Sequence, residues 1–153
     1  MRDFEKISYE QFCKDVKEDK EMYKNYKLPS RNSTNAAGYD FYLLEDLEIK
    51  ANEIVKIPTG VKAYFDGDEV LFLIVRSSTG FKYNIRLVNQ VGVIDADYYN
   101  NENNEGHIFI KVQNESDKNL NFKAGDTLIQ GIFMKFLKTD SDQNLKLRRK
   151  SEY

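Results

Sequence analysis

Residues 107–113 read HIFIKVQ, and the period of this stretch decides the fold. Ile108, Ile110 and Val112 alternate with Phe109, Lys111 and Gln113, so one face of the segment is core-directed and the other mixed, the pattern of a β-strand. Runs of similar β-rich composition lie on both sides: YDFYLL (39–44), EIVKIP (53–58), VKAYF (61–65), EVLFLIVR (69–76), NIRLV (84–88), LNF (120–122) and TLIQGIFMKF (127–136). Thr59-Gly60, Asp66-Gly67, Thr79-Gly80, the NNENNEG stretch at 100–106 and Ala124-Gly125-Asp126 punctuate them at the spacing of sandwiches and barrels. The body is expected to be all-β, a sandwich or jelly roll, with the Asn/Glu stretch as a solvated surface loop.

Ahead of the strands the pattern is helical. Ser8 followed by Gln11 reads as a capping box, with Ile7 and Phe12 in the positions of a hydrophobic staple. Phe12, Val16 and Tyr23 continue at near-helical spacing through KDVKEDKE, so one amphipathic helix is expected from Ser8 to a point before Pro29, laid on the larger body. Residues 1–27 form this extension and 28–153 the β domain.

Of the 153 residues, 41% are hydrophobic and 31% charged, enough for the core of one domain. Acidic residues outnumber basic ones 25 to 23, which leaves no electrostatic footprint for nucleic acid. The longest apolar run, Val70 to Val75, is far short of the roughly 20 residues that span a bilayer. The N-terminus lacks a signal-peptide apolar stretch, so a cytoplasmic protein without membrane contacts is expected. Cys13 has no second cysteine, and with the single histidine, His107, it makes no ordinary zinc site. Any metal must therefore be a hard one, held by carboxylates or by a substrate's own phosphates.

Two stretches carry candidate chemistry. In Gly92-Val93-Ile94-Asp95-Ala96-Asp97-Tyr98, two carboxylates follow an apolar strand. Partial desolvation suits such an aspartate to general-base work, although a turn carboxylate capping backbone N–H groups fits the same residues. Arg76-Ser77-Ser78-Thr79-Gly80 supplies a cationic fork, three hydroxyls and a glycine, suited to phosphate oxygens or to an ordinary turn with a surface ion pair. Neither a P-loop nor a dinucleotide GxGxxG is present.

Order and spacing choose between these readings. Ala37-Gly38-Tyr39-Asp40, then Arg76-Ser77-Ser78, then Asn89-Gln90-Val91-Gly92-Val93-Ile94-Asp95-Ala96-Asp97-Tyr98, then Ala124 to Gln130, together resemble the short motifs of the trimeric dUTPase family, from about Leu28 to Tyr153. The resemblance implies a jelly-roll or distorted β-barrel fold. It also implies a homotrimer with shared active sites and Mg2+-assisted hydrolysis of dUTP to dUMP and pyrophosphate.

Roles follow residue by residue. Asp40 matches the aspartate that supports the magnesium shell through water. Arg76, Ser77 and Ser78 match the phosphate-binding motif, and Asn89 matches the asparagine that reads the uracil edge, with Ile94 also among the substrate-binding positions. Asp95 matches the general base, Tyr98 the ring that packs under the deoxyribose and excludes a 2'-hydroxyl, and Gln130 the glutamine that reaches the phosphates and the nucleophilic water.

Two departures stand out. Tyr99 leads into the Asn/Glu loop instead of a short polar step to glycine. The fifth motif supplies an arginine as Arg148 and an aromatic as Tyr153, but the sequence ends before the family's glycine-serine-threonine-glycine tail. The expectation is that the tail is missing from this chain or that its site closes incompletely. The alternatives are a dUTP-binding or sensing protein with little turnover, and dCTP deaminase, a relative whose strand after the third motif carries a catalytic glutamate where this sequence has Lys111.

Overall fold

The β-rich runs pair as their alternation demands. In the computed structural model, which describes residues 1–142 and Leu145, all strand pairs are antiparallel. The strands are β1 (Asp3–Lys6), β2 (Tyr39–Tyr42), β3 (Leu47–Ile49), β4 (Ile54–Pro58), β5 (Val61–Tyr64), β6 (Glu69–Val75), β7 (Ile85–Leu87), β8 (Gly92–Asp95), β9 (Phe109–Asn114), β10 (Leu120–Phe122) and β11 (Thr127–Lys135). Helices α1 (Tyr9–Asp15), α2 (Lys20–Asn25) and α3 (Ser77–Tyr83) and a 3-10 turn at Ala96–Tyr98 complete the order.

A four-stranded sheet runs β2-β11-β6-β8 and a three-stranded one β4-β9-β7, with the pairs β1-β5 and β10-β3 at their margins. Phe41, Leu71, Leu73, Ile94 and Ile129 from the first sheet join Ile57, Ile85, Leu87, Ile110 and Val112 from the second in one buried core. No sheet closes on itself among the described residues, so the fold is a jelly roll of open sheets and not a closed barrel.

The N-terminal segment differs from expectation in two ways. Asp3–Lys6 is a strand paired with β5, and Phe4 enters the main core. The expected long helix is two short ones, because the Asp19 side chain accepts the Met22 N–H at 3.0 Å and restarts the helix after a break at Val16. Ser8 does cap α1 through the Gln11 N–H at 3.1 Å, and Ile7 and Phe12 are buried together. The reciprocal arm of the capping box is not Gln11, whose amide turns to Asp15 at 2.9 Å. Glu105 takes that place, accepting Ser8 N–H at 2.7 Å and Ser8 Oγ at 2.6 Å, with Lys62 Nζ 3.0 Å away.

The 100–106 loop is therefore not simply solvated surface: it is fastened to α1, and Asn101 within it is buried. Gly106 closes it at φ +80, where an added Cβ would lie 2.6 Å from the Tyr98 carbonyl oxygen.

His107, immediately after the loop, is fully buried and meets Asp15 of α1 at 2.6 Å. Burial holds its pKa below the ordinary 6.5, outweighing the upward pull of Asp15 and Glu105, and Lys56 adds to the depression. The unfolded chain thus binds the proton more readily, and this contribution to stability is complete above about pH 6.5 and declines as pH falls below it. Thermal melts should give a lower Tm at about pH 5.5 than at about pH 7.5, and His107→Gln should flatten that difference. Equal pH dependence in the two proteins would contradict the assignment.

Candidate active site

The first cluster lies where three strands of the larger sheet end together. Gln130 on β11 is opposite both Asp40 on β2 and Ile74 on β6, and β6 leads directly into Arg76. Arg76 Nε lies 3.1 Å from Asp40 Oδ1, and Arg76 Nη1 donates to Thr127 Oγ1. Asn32 Nδ2 donates to the other Asp40 oxygen at 2.9 Å. The carboxylate is buried and partnered at both oxygens, so it aims the guanidinium while leaving the fork partly open to solvent.

Ser77 and Ser78 are exposed in the first turn of α3, whose N-cap, Arg76, makes no side-chain cap hydrogen bond. Thr79, the third hydroxyl of the Ser77-Ser78-Thr79 run, is buried and donates to Leu128 O at 2.7 Å, which fixes α3 to β11. Asn32, Gly38, Asp40, Arg76, Ser77, Ser78 and Gln130 line a cavity of about 350 Å³ whose walls carry four neutral polar side chains, one cation and the Asp40 carboxylate that is paired with it. That composition suits an anionic, oxygen-rich ligand. Asn32 was missed by the sequence reading, since nothing in RNSTNAAGYD separates it from Asn35.

Gly38 has a steric task in this cavity: a Cβ there would sit 2.0 Å from Gln130 Oε1. Gly38→Ala should push the glutamine out of place and, if Gln130 serves the site, lower kcat/KM by about 10-fold or more, the worth of a hydrogen bond to a charged group, with little change in Tm. Steady-state kinetics that match the unmodified chain would remove Gln130 from the site.

The second cluster is the segment from β7 to the 3-10 turn. Asn89 is exposed in the β7–β8 connection and lines another cavity of about 350 Å³ with Leu73, Leu87, Gly92, Ile94 and Phe109, mostly apolar walls to which Lys56 and Lys111 add two cations. Ile94 is buried opposite Leu71. Asp95, half-buried, ends β8 opposite Val70. Tyr98 is only 4% exposed, with its hydroxyl donating to His107 O at 2.6 Å.

The two clusters do not meet within one chain. Asp95 pairs with Val70, whereas Arg76 lies six residues further along the same strand line. At about 3.3 Å per residue this is a separation of roughly 20 Å. Arg148 and Tyr153 lie outside the described residues.

A family model described as dUTPase matches residues 24–152. The chain belongs to the dUTPase family. Among its relatives, the deoxyuridine 5'-triphosphate nucleotidohydrolase of Lactococcus lactis is 44% identical over 124 residues, which cover 80% of this chain and 83% of that protein. The enzyme of the same name from Haemophilus ducreyi is 33% identical over 119 residues, covering 76% and 74%. The crystal structure of dUTPase from Streptococcus mutans superposes with a TM-score of 0.73 at 44% identity, covering 90% of this chain and 98% of that one. As a dUTPase, the chain is an enzyme that hydrolyses dUTP. Among the described residues no helix is long and apolar enough to cross a membrane.

Proposed function

We propose that dUTP is cleaved at its α-phosphorus by a water activated by Asp95, in a site shared between copies of the chain. The observation that carries this reading is the roughly 20 Å between Asp95 and Arg76 along β6. One triphosphate cannot reach both groups of one chain, so a neighbour's phosphate cluster must complete each base-bearing hairpin. Val91 and Val93 on β8 and its approach, and Phe81 on α3, are exposed large apolar side chains that contacts between copies would cover. A closed threefold ring, a homotrimer, meets this need with three equivalent sites.

Within such a site Asn89 and the β7–β8 connection hold the uracil, and Tyr98 faces the deoxyribose. Arg76, Ser77, Ser78 and Gln130 bind the phosphates. Asp95 accepts a proton from water as the water oxygen bonds to the α-phosphorus. The bond from that phosphorus to the α,β-bridging oxygen breaks, and pyrophosphate leaves with the charge that Arg76 offsets. No covalent intermediate is needed.

Magnesium fits this donor set as a passenger on the substrate: no three His, Cys, Asp or Glu side chains converge among the described residues, and both Asp40 oxygens already have protein partners. Bound with the triphosphate, it supplies charge neutralisation and polarises phosphoryl oxygens. Asp40 would reach it through water. Neither alternative gains an observation in its favour, and at the deaminase's glutamate position Lys111 is exposed on β9.

Turnover in 18O-labelled water tests the point of attack. The label is expected in dUMP and not in pyrophosphate, and label in pyrophosphate would overturn attack at the α-phosphorus.

A further inference from the structure

A buried polar node joins the N-terminal helices to Tyr98. His107 Nε2 accepts the Gly60 N–H at 2.8 Å, which places the ring proton on Nδ1, where it is donated to Asp15 Oδ2 at 2.6 Å. On the other side of the same residue, the His107 carbonyl accepts the Tyr98 hydroxyl at 2.6 Å, and Asn104 Nδ2 donates to that hydroxyl oxygen at 2.9 Å.

The surrounding backbone is held as well. The Ile108 N–H donates to Val61 O at 2.9 Å, and Thr59 Oγ1 donates to Ile108 O at 2.6 Å. Gly60 O in turn accepts the Tyr26 hydroxyl at 2.6 Å and the Ile7 N–H at 3.1 Å. The end of α1, the segment after α2, the β4–β5 corner and the tyrosine thus share one set of hydrogen bonds.

We infer that Asp15 and His107 are positioning residues for Tyr98, fixing through the imidazole and its carbonyl how the tyrosine ring meets the sugar, and so setting discrimination against ribonucleotides. The inference rests on the proposed role of Tyr98 at the deoxyribose. Rejection of a 2'-hydroxyl by a ring depends on where that ring stands, and a phenol is fixed at its far end by what binds its hydroxyl. Removing the Asp15 acceptor strands a buried Nδ1–H. The imidazole relieves this only by shifting, and it carries with it the carbonyl on which Tyr98 is anchored.

The experiment compares kcat/KM for dUTP and UTP in the full chain, below its melting temperature. In Asp15→Ala the preference for dUTP should narrow by about five-fold, the worth of one ordinary hydrogen bond. Asp15→Asn, whose amide oxygen can still accept from Nδ1, should restore the preference, which loss of packing alone would not predict. Tyr98→Phe keeps the ring but releases it from His107 and Asn104, and should narrow the preference similarly even where Asp15→Ala fails to fold.

An unchanged preference in folded Asp15→Ala, or in Tyr98→Phe, overturns the inference if Tyr98→Ala changes it. If Tyr98→Ala also leaves the preference unchanged, the sugar role of Tyr98 fails and takes the positioning role with it.

Discussion

Asp95→Asn should lower kcat by about 10² or more while dUTP still binds, since removing a general base forfeits its share of the rate and little else. The substitution preserves volume at a half-buried position, and the backbone pairing of residue 95 with Val70 is indifferent to the side chain. The Arg76 cluster lies at the other end of β6, so the groups that bind phosphate keep their geometry. Ground-state affinity should therefore change much less than turnover, the signature of an interaction made only on the way to the transition state. Single-turnover rates measured beside calorimetric binding of a non-hydrolysable dUTP analogue separate the two quantities. Normal turnover by the variant would remove Asp95 from its role, and loss of binding with unchanged chemistry would make it a substrate ligand instead.

The parts of this molecule legible in its sequence are those governed by local period. Ile110 and Val112 stand on the buried face of β9 as their alternation requires, with Ile108 buried just ahead of the strand, and the central strand β6 contains the near-continuous apolar run Val70–Val75. What escaped depends on distant partners. β1 is only four residues long and exists because β5, some 55 residues later, offers it an edge. Ser77-Ser78-Thr79-Gly80 carries the composition of a turn, yet α3 forms there because Thr79 is fastened to Leu128 O and Asn84 closes the helix in the left-handed region. The Asn/Glu loop reads as solvated by composition, whereas Glu105 is committed to Ser8 and Lys62, 97 and 43 residues away in the chain.

The site divides in the same manner. Asp40, Arg76, Asp95 and Gln130 are legible as candidates through motif order, and their proposed roles rest on it. Asn32, the use of Thr79 as a fastener and the service of His107 to Tyr98 are set by packing, and no spacing rule encodes them. Nor does the linear sequence reveal that Asp95, paired from β8 with Val70, and Arg76, just after Val75, stand beside opposite ends of β6.

That separation yields the sharpest expectation. Asp95→Asn and Arg76→Ala chains should each be nearly inactive alone, one without its base and the other without the cation that offsets charge on the phosphates. When the two are co-assembled in equal amounts, a shared site is intact only if its aspartate comes from an Arg76→Ala chain and its arginine from an Asp95→Asn chain. A mixed threefold ring holds two chains of one kind and one of the other, so one of its three neighbouring pairs regains both groups, and activity per site should rise to about a third of the unmodified enzyme. Sites contained within single chains would all keep one lesion, and the mixture would then be no better than its parents. Differently tagged subunits, purified through both tags so that only mixed assemblies are assayed, make the comparison direct. Recovery well above the parental level requires that the phosphate cluster of one copy serves the hairpin of another, whereas its absence from verified mixed assemblies would refute the shared site.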